Sequence, residues 1–291
     1  MVAAPARRPR ANVSPRQVAD ALGVSESSVK RWSDAGLIAT AKTAGGHRKL
    51  VLADVLRFVR EQGYDIGRPE SLGLPGRLPR AADDTLSPAA LIAALVAGDG
   101  ETARRVVVGL FVRGVPLTDL FDHVVGPAIR EVGVRWEHGS VRVFEEHRAT
   151  VLVMRTLQDL RALLPRPTAH ARVAVVATLT GDPYTIAIGM TELTLAERGW
   201  AVTNLGPDTP AFTIVEALVA LQPRVLALGV NSMTDSTGFV DAFEIVAEAA
   251  RVQHTAVVVG GPALTTEVRR RIHYAVCCAT MRELADFAGS L

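Results

Sequence analysis

Cysteine is nearly missing from this 291-residue chain: its two, Cys277 and Cys278, stand side by side in an apolar stretch. They can supply neither a disulfide framework nor a four-thiolate metal site, and packing is the role left to them. No apolar run reaches the ~18 residues that a membrane span needs. Met1 to Asn12 is rich in Arg and Pro and lacks the apolar centre of a secretion signal. A cytoplasmic protein without a membrane partner is expected. Also lacking are a Walker-type glycine loop, a recognisable Ser-His-Asp set and metal-ligand spacing among the seven histidines, so no enzyme is expected. Nor is there a large excess of charge of one sign, the formal net charge being +2. Its distribution is uneven, however: residues 1–63 hold 11 Lys and Arg against 5 Asp and Glu, and the remainder 21 against 25. A basic module ahead of a mildly acidic body suits a nucleic-acid binder with a separate sensing or assembly region.

The length allows two or three domains. The reading is multidomain, α and α/β: a basic arm over 1–12, a winged helix-turn-helix over 13–63, a linker over 64–86 rich in Gly, Pro and charge, a four-helix bundle over 87–168, and a Rossmann-like (flavodoxin-like) parallel sheet over 169–291. Apolar spacing of three and four predicts the bundle helices in LIAALVAGD, ETARRVVVGLFVRG, LTDLFDHVVGPAIREVGVRW and RATVLVMRTLQDLRALL. The β-branched runs VAVVATL, AVTNL, VLALGV, AVVVGG and YAVCCA, each followed by an amphipathic stretch, predict the strands.

Ser14-Pro15-Arg16-Gln17 reads as a capping box that opens a helix with Val18 and Leu22 facing inward. Ser25 caps a second helix that buries Val29 and Trp32 and leaves Ser27, Ser28, Lys30 and Arg31 outside, the residue types that read base edges and hold phosphates. Ala39 to Leu50 reads as a two-stranded wing with Gly45-Gly46-His47-Arg48 at its tip. SVKRWSDAGLI followed by TAGGHRKL resembles the recognition helix and wing of the MerR family. That resemblance implies contacts to double-stranded operator DNA from Lys30 and Arg31 and from His47, Arg48 and Lys49. Arg7, Arg8 and Arg10 read either as a groove-binding arm or as a solvated tail. The long dimerising helix usual after such a domain is replaced here by a break at Gly63, so self-association into a dimer or tetramer falls to the later domains.

Trp136 and, ten positions on, Glu146-His147, ahead of a Rossmann-like region, resemble the cobalamin-dependent photoreceptor regulators of the CarH and LitR type. The resemblance implies that Trp136, Glu146 and His147 cap the upper face of adenosylcobalamin. It also implies a crevice at strand ends formed by Asp182, Tyr184, Asp208, Thr209, Asn231, Gly260 and Gly261, the two glycines admitting a large ligand close to the backbone. The chain departs from that family where cobalt would be held. Asp182-Pro183-Tyr184-Thr185-Ile186-Ala187 has a phenol and an Ala where the motif has His and Gly, Gly229 replaces a Ser, and Glu137 replaces the His after the Trp. A phenol is a poor neutral metal ligand beside imidazole, so bis-His light chemistry is not expected. Three readings stay open: cobalamin without a histidine lower ligand; another tetrapyrrole such as a bilin, or a small metabolite; or no ligand, the fold serving as an oligomerisation scaffold or a docking surface for a protein effector. A corrinoid-carrying enzyme component is the competing class.

Overall fold

The computed structural model describes residues 12–42, 48–76 and 87–291. They form two units, one comprising Met1–Pro116 and His123–Pro165, the other Leu117–Asp122 and Arg166–Leu291.

The first unit begins with β1 (Asn12–Val13), α1 (Pro15–Leu22), α2 (Glu26–Asp34), β2 (Thr40–Lys42), β3 (Arg48–Val51) and α3 (Leu52–Gln62). The capping box predicted for α1 is present: the Ser14 hydroxyl accepts from the Gln17 N–H while the Gln17 side chain accepts from Ser14 N at 2.9 Å. Ser25 caps α2 in the same way. Val18, Val29, Ile38, Leu50, Val55 and Leu56 are fully buried, each contributing roughly 1.5–3 kcal/mol of transfer free energy. The wing strands β2 and β3 pair antiparallel, and β1 adds a third strand on the far side of β3. The arm arginines and His47 lie outside the described residues.

The expected linker needs correction. Residues 64–76 are folded, with a 3-10 turn over Pro69–Leu72, and Pro69, Leu72 and Leu74 are buried. Arg68 N donates to Ala21 O, and Gln17 Nε2 donates to Ser71 O at 3.1 Å, so the stretch is stitched along α1. Its apolar residues are too few and too irregular to show a period, which is why composition suggested a tether.

The helical part contains α4 (Ala89–Ala97), α5 (Gly100–Val112), α7 (Gly126–Glu137) and α8 (Val143–Leu163), and between α5 and α7 the chain forms α6 (Leu117–Leu120), which belongs to the second unit. The third predicted helix is thus interrupted: a π turn over Phe121–Val125 separates α6 from α7. Pro127 accounts for it, since a proline has no N–H to give the carbonyl four residues back and its ring crowds that carbonyl. Among the described residues no helix is long and apolar enough to cross a membrane.

The second unit is a five-stranded parallel sheet in the order β5-β4-β6-β7-β8, formed by β4 (Val173–Leu179), β5 (Ala201–Thr209), β6 (Val225–Gly229), β7 (Ala256–Gly260) and β8 (Val276–Cys277). Helices α10 (Ala211–Leu221), α11 (Ser236–Val252) and the short α12 (Thr266–Arg269) cover one face through Ile214, Leu218, Phe243 and Val268; α9 (Ile186–Glu197) and α13 (Met281–Ser290) cover the other through Ile188, Leu195 and Leu284. Along β4 the alternation is visible: Val175, Ala177 and Leu179 join the first layer, Ala174 and Val176 the second. The chain order reverses at β4, whose neighbours β5 and β6 receive connections running in opposite directions, and the carboxyl ends of the strands at such a reversal are where open α/β sheets take up ligands. Residues 206–209, expected beyond the second strand, continue β5 through two register shifts against β4.

Candidate functional site

Helix α2 presents its polar face to solvent. The Ser25, Ser27 and Ser28 hydroxyls are linked at 2.8 and 2.9 Å, and the exposed Arg31 guanidinium donates to Ser28 Oγ at 3.3 Å. Lys30 is paired with Glu26 at 2.8 Å. Arg48, expected at the wing tip to meet DNA, is turned onto α2: its Nη1 donates to Lys30 O at 3.2 Å and its Nη2 lies 2.8 Å from Asp34 Oδ1. Arg48 therefore fastens the wing to the recognition helix. Lys49, next along β3, is half-buried. Trp32 is half-buried in an aromatic cluster, 4.8 Å from the Phe58 ring and 5.2 Å from that of Tyr64.

In the helical part, Trp136 closes α7 and is 44% exposed, an unusual state for an indole. Val134 on the same helix, and Val143, Phe144 and Val151 on α8, also stay largely exposed. Glu146 and His147 open α8: His147 Nδ1 is 2.8 Å from Glu146 Oε2, and Thr150 donates to the other carboxylate oxygen at 3.2 Å. Below them Glu145 is held down to about 2 by hydrogen bonds from the Arg142 side chain and backbone.

The crevice of the second unit is built around Asp182, which is 4% exposed. One carboxylate oxygen accepts from Asn231 N at 2.6 Å and from Asn231 Nδ2 at 3.2 Å; the other accepts from Tyr184 N at 3.1 Å. Thr178, fully buried at the end of β4, donates to Asp182 O at 2.6 Å and accepts from Asp208 N at 2.9 Å. Asp208 takes a positive φ of 53°, tolerated by Asp better than by most residues, and its carboxylate accepts from Gly181 N at 2.7 Å. The Thr209 hydroxyl is turned to Gly206 O. The structure thus gathers Asp182, Asp208 and Asn231 as sequence reasoning expected, but spends much of their hydrogen-bonding capacity on the protein itself. Thr178 was missed; a hydroxyl ending the apolar run VAVVATL was the available signal.

Gly260 and Gly261 serve a different close approach from the one expected. A Cβ on Gly261, whose φ is +132°, would lie 2.2 Å from Val230 O, and one on Gly260 would lie 2.6 Å from Cys278 O. The chain's own carbonyls fill the space that was read as room for a ligand. Cys278 is a buried thiol pushed up to about 11 by that burial, ill suited to metal ligation.

For a corrin, the residues of this unit offer no coordinating imidazole, and their polar groups are mostly bonded within the protein. Tyr184 stands 55% exposed at the crevice mouth, a flat ring beside the Asp182 turn. The histidines of this unit are elsewhere: His170 and His254 precede β4 and β7, at the amino ends of the strands, and the exposed His273 lies 3.2 Å from the Glu244 carboxylate on α11. Among the described residues of the unit, no imidazole is placed to hold a metal at the crevice.

Residues 172–286 match the family described as B12 binding domain, 89–159 match a second family of the same description, and 13–63 match the helix-turn-helix domain family. The HTH-type transcriptional repressor CarH of Myxococcus xanthus is 27% identical over 278 residues, covering 89% of this chain and 90% of that protein. The HTH-type transcriptional repressor CarA of the same organism is 35% identical over 108 residues, covering 37% of this chain and 35% of that protein. Among solved structures, the Methanosarcina barkeri monomethylamine corrinoid protein shares the fold with a TM-score of 0.58 at 18% identity, over 68% of this chain and 94% of that one.

Proposed function

We propose that this CarH-like chain, a helix-turn-helix domain followed by a two-part B12-binding-type region, is a cytoplasmic transcriptional regulator that binds double-stranded operator DNA and changes its self-association when a corrinoid is bound. The observation that carries the reading is the union, in one chain, of an exposed Ser- and Arg-bearing helix with a strand-end crevice of the B12 binding type. Ser27, Ser28, Lys30 and Arg31 on α2 and His47, Arg48 and Lys49 in the wing are assigned to DNA. Trp136, Glu146 and His147 are assigned to the upper side of the ligand, where an indole excludes water and the carboxylate and imidazole accept or donate hydrogen bonds. The Asp182 to Tyr184 turn, Asp208, Thr209 and Asn231 are assigned to the same ligand, the phenol offering a flat surface rather than a ligating atom, while Gly260 and Gly261 are withdrawn from the ligand set because Val230 O and Cys278 O crowd them. When bound, a corrinoid would supply a light-absorbing macrocycle. An enzyme component is disfavoured, because residues 13–63 match a helix-turn-helix domain and the similarity to a transcriptional repressor covers 89% of the chain.

Mixing the full chain with adenosylcobalamin in the dark tests this directly. Corrin absorption bands that co-purify with the protein, persist in Tyr184→Phe and accompany a change in sedimentation and in DNA affinity are the expected result. A second reading, a ligand-free assembly scaffold, is favoured by the carbonyls packed against Gly260 and Gly261. It gains if no bands are retained and DNA affinity is unaffected.

A further inference from the structure

The folded stretch 64–76 touches the DNA-reading helices at one end and the helical part of the same unit at the other. At the first end the Asp20 carboxylate on α1 accepts from Arg68 Nη1 at 2.6 Å and, on its other oxygen, from the Ser71 hydroxyl. At the second end Arg104 of α5, 7% exposed, donates through Nη2 to Gly73 O at 3.1 Å and through Nε to Asp159 Oδ2 at 2.7 Å. Asp159 belongs to α8, the helix that opens with Glu146 and His147. Asp159 lies twelve positions after His147 on this continuous helix, about 18 Å along it at 1.5 Å per residue. A further tie runs beside it, the Arg60 guanidinium of α3 lying 5.2 Å from the Phe111 ring centroid of α5.

We infer that residues 64–76 are a strap with two latches, Asp20 at one end and Arg104 held by Asp159 at the other, through which α8 sets the posture of the DNA-reading helices. A buried guanidinium with two acceptors in place is costly to leave half-paired, so the Arg104 latch favours one arrangement over a continuum of loose ones. Loose tethering would let the DNA-reading domain ignore the state of α8; two latches on one short strap oblige it to follow. The ligand-linked part of this inference rests on the proposed reading that Glu146 and His147 meet an effector, whereas the strap itself does not.

Amide hydrogen exchange of the full chain tests the strap without any ligand. In the wild type, residues 68–76 exchange as slowly as α1. Asp20→Ala speeds exchange over 68–76 by about tenfold or more. Asp159→Asn, which touches neither the strap nor α1, speeds exchange at both by a similar factor, and the double variant Arg104→Met/Asp159→Leu, which replaces the ion pair by apolar packing, does the same with α5 and α8 still protected. Exchange of the wild-type strap at the unstructured rate, or an Asp159→Asn effect confined to α5 and α8, overturns the inference. With adenosylcobalamin added, its effect on DNA affinity falls at least fivefold in Asp20→Ala while the corrin bands are unchanged. A full ligand effect in Asp20→Ala refutes the strap and leaves the cobalamin reading standing. Absence of bands in the wild type refutes cobalamin, and the exchange result still decides the strap.

Discussion

Replacing Asp182 separates a carboxylate that organises the crevice from one that waits for a ligand. In Asp182→Ala three hydrogen bonds to a buried carboxylate vanish, and the N–H groups of Asn231 and Tyr184 lose their acceptor. Tyr184 is exposed, so its N–H is re-solvated cheaply; Asn231 N, at 2.6 Å the shortest of the three, is only half-exposed and bears most of the cost. An orphaned donor costs about 1–3 kcal/mol, and bonds to a charged acceptor lie at the upper end. Relief of the carboxylate's own desolvation offsets part of this, leaving about 2–4 kcal/mol. Asp182→Asn can keep both bonds to Asn231 by turning its amide nitrogen toward Tyr184, losing one weak bond and about 1 kcal/mol. Exchange of the slowest amides of β4 and β6 in the full chain reads the difference: roughly thirty- to thousandfold faster for Ala and about fivefold for Asn, at 1.4 kcal/mol per factor of ten. If both variants exchange like the wild type while corrinoid binding is lost, Asp182 is a ligand group and the assignment made from its hydrogen bonds is wrong.

Gly261→Ala is expected to lower the unfolding midpoint sharply, by about 3 kcal/mol or more in stability, because its Cβ meets backbone rather than a side chain that can swing away. Gly133→Ala in α7, with open space at the Cβ position, should instead stabilise by about 1 kcal/mol; thermal melts of the pair check both. Asp34→Ala releases Arg48 from its ion pair, so DNA affinity at low salt should rise and the slope of log affinity against log salt should steepen by about one unit, measured by fluorescence anisotropy. Glu145 titrates near 2 in the folded protein against an ordinary 4.5, since Arg142 stabilises its charged form. A depressed carboxyl stabilises above its ordinary value and loses that contribution as pH falls from about 4.5 to about 2, so the protection factors at the amino end of α8, corrected for the intrinsic pH dependence of exchange, should stay constant from pH 7 to 5 and fall as pH drops through about 4.5 towards about 2.

The features legible in the sequence are those fixed over a few residues. Ser14, Pro15 and Gln17 announce α1 because a cap closes within one turn. The β-branched runs announce the parallel sheet because strands buried on both faces tolerate almost nothing else. Contacts between distant residues were not legible. Asp20 reaches Arg68 across 48 positions and Asp182 reaches Asn231 across 49, and neither pair leaves a local mark. Arg48 and Arg31 look alike in the sequence, yet one is spent on Asp34 while the other faces solvent. The π turn before Gly126-Pro127 was foreshadowed by Pro127, but an unbroken apolar period on either side outweighed it.

The turn after β4 keeps its form through Thr178, Asn231 and Asp208, whatever rests above it. A floor locked by the polypeptide is an anvil: it resists, and it does not move when struck.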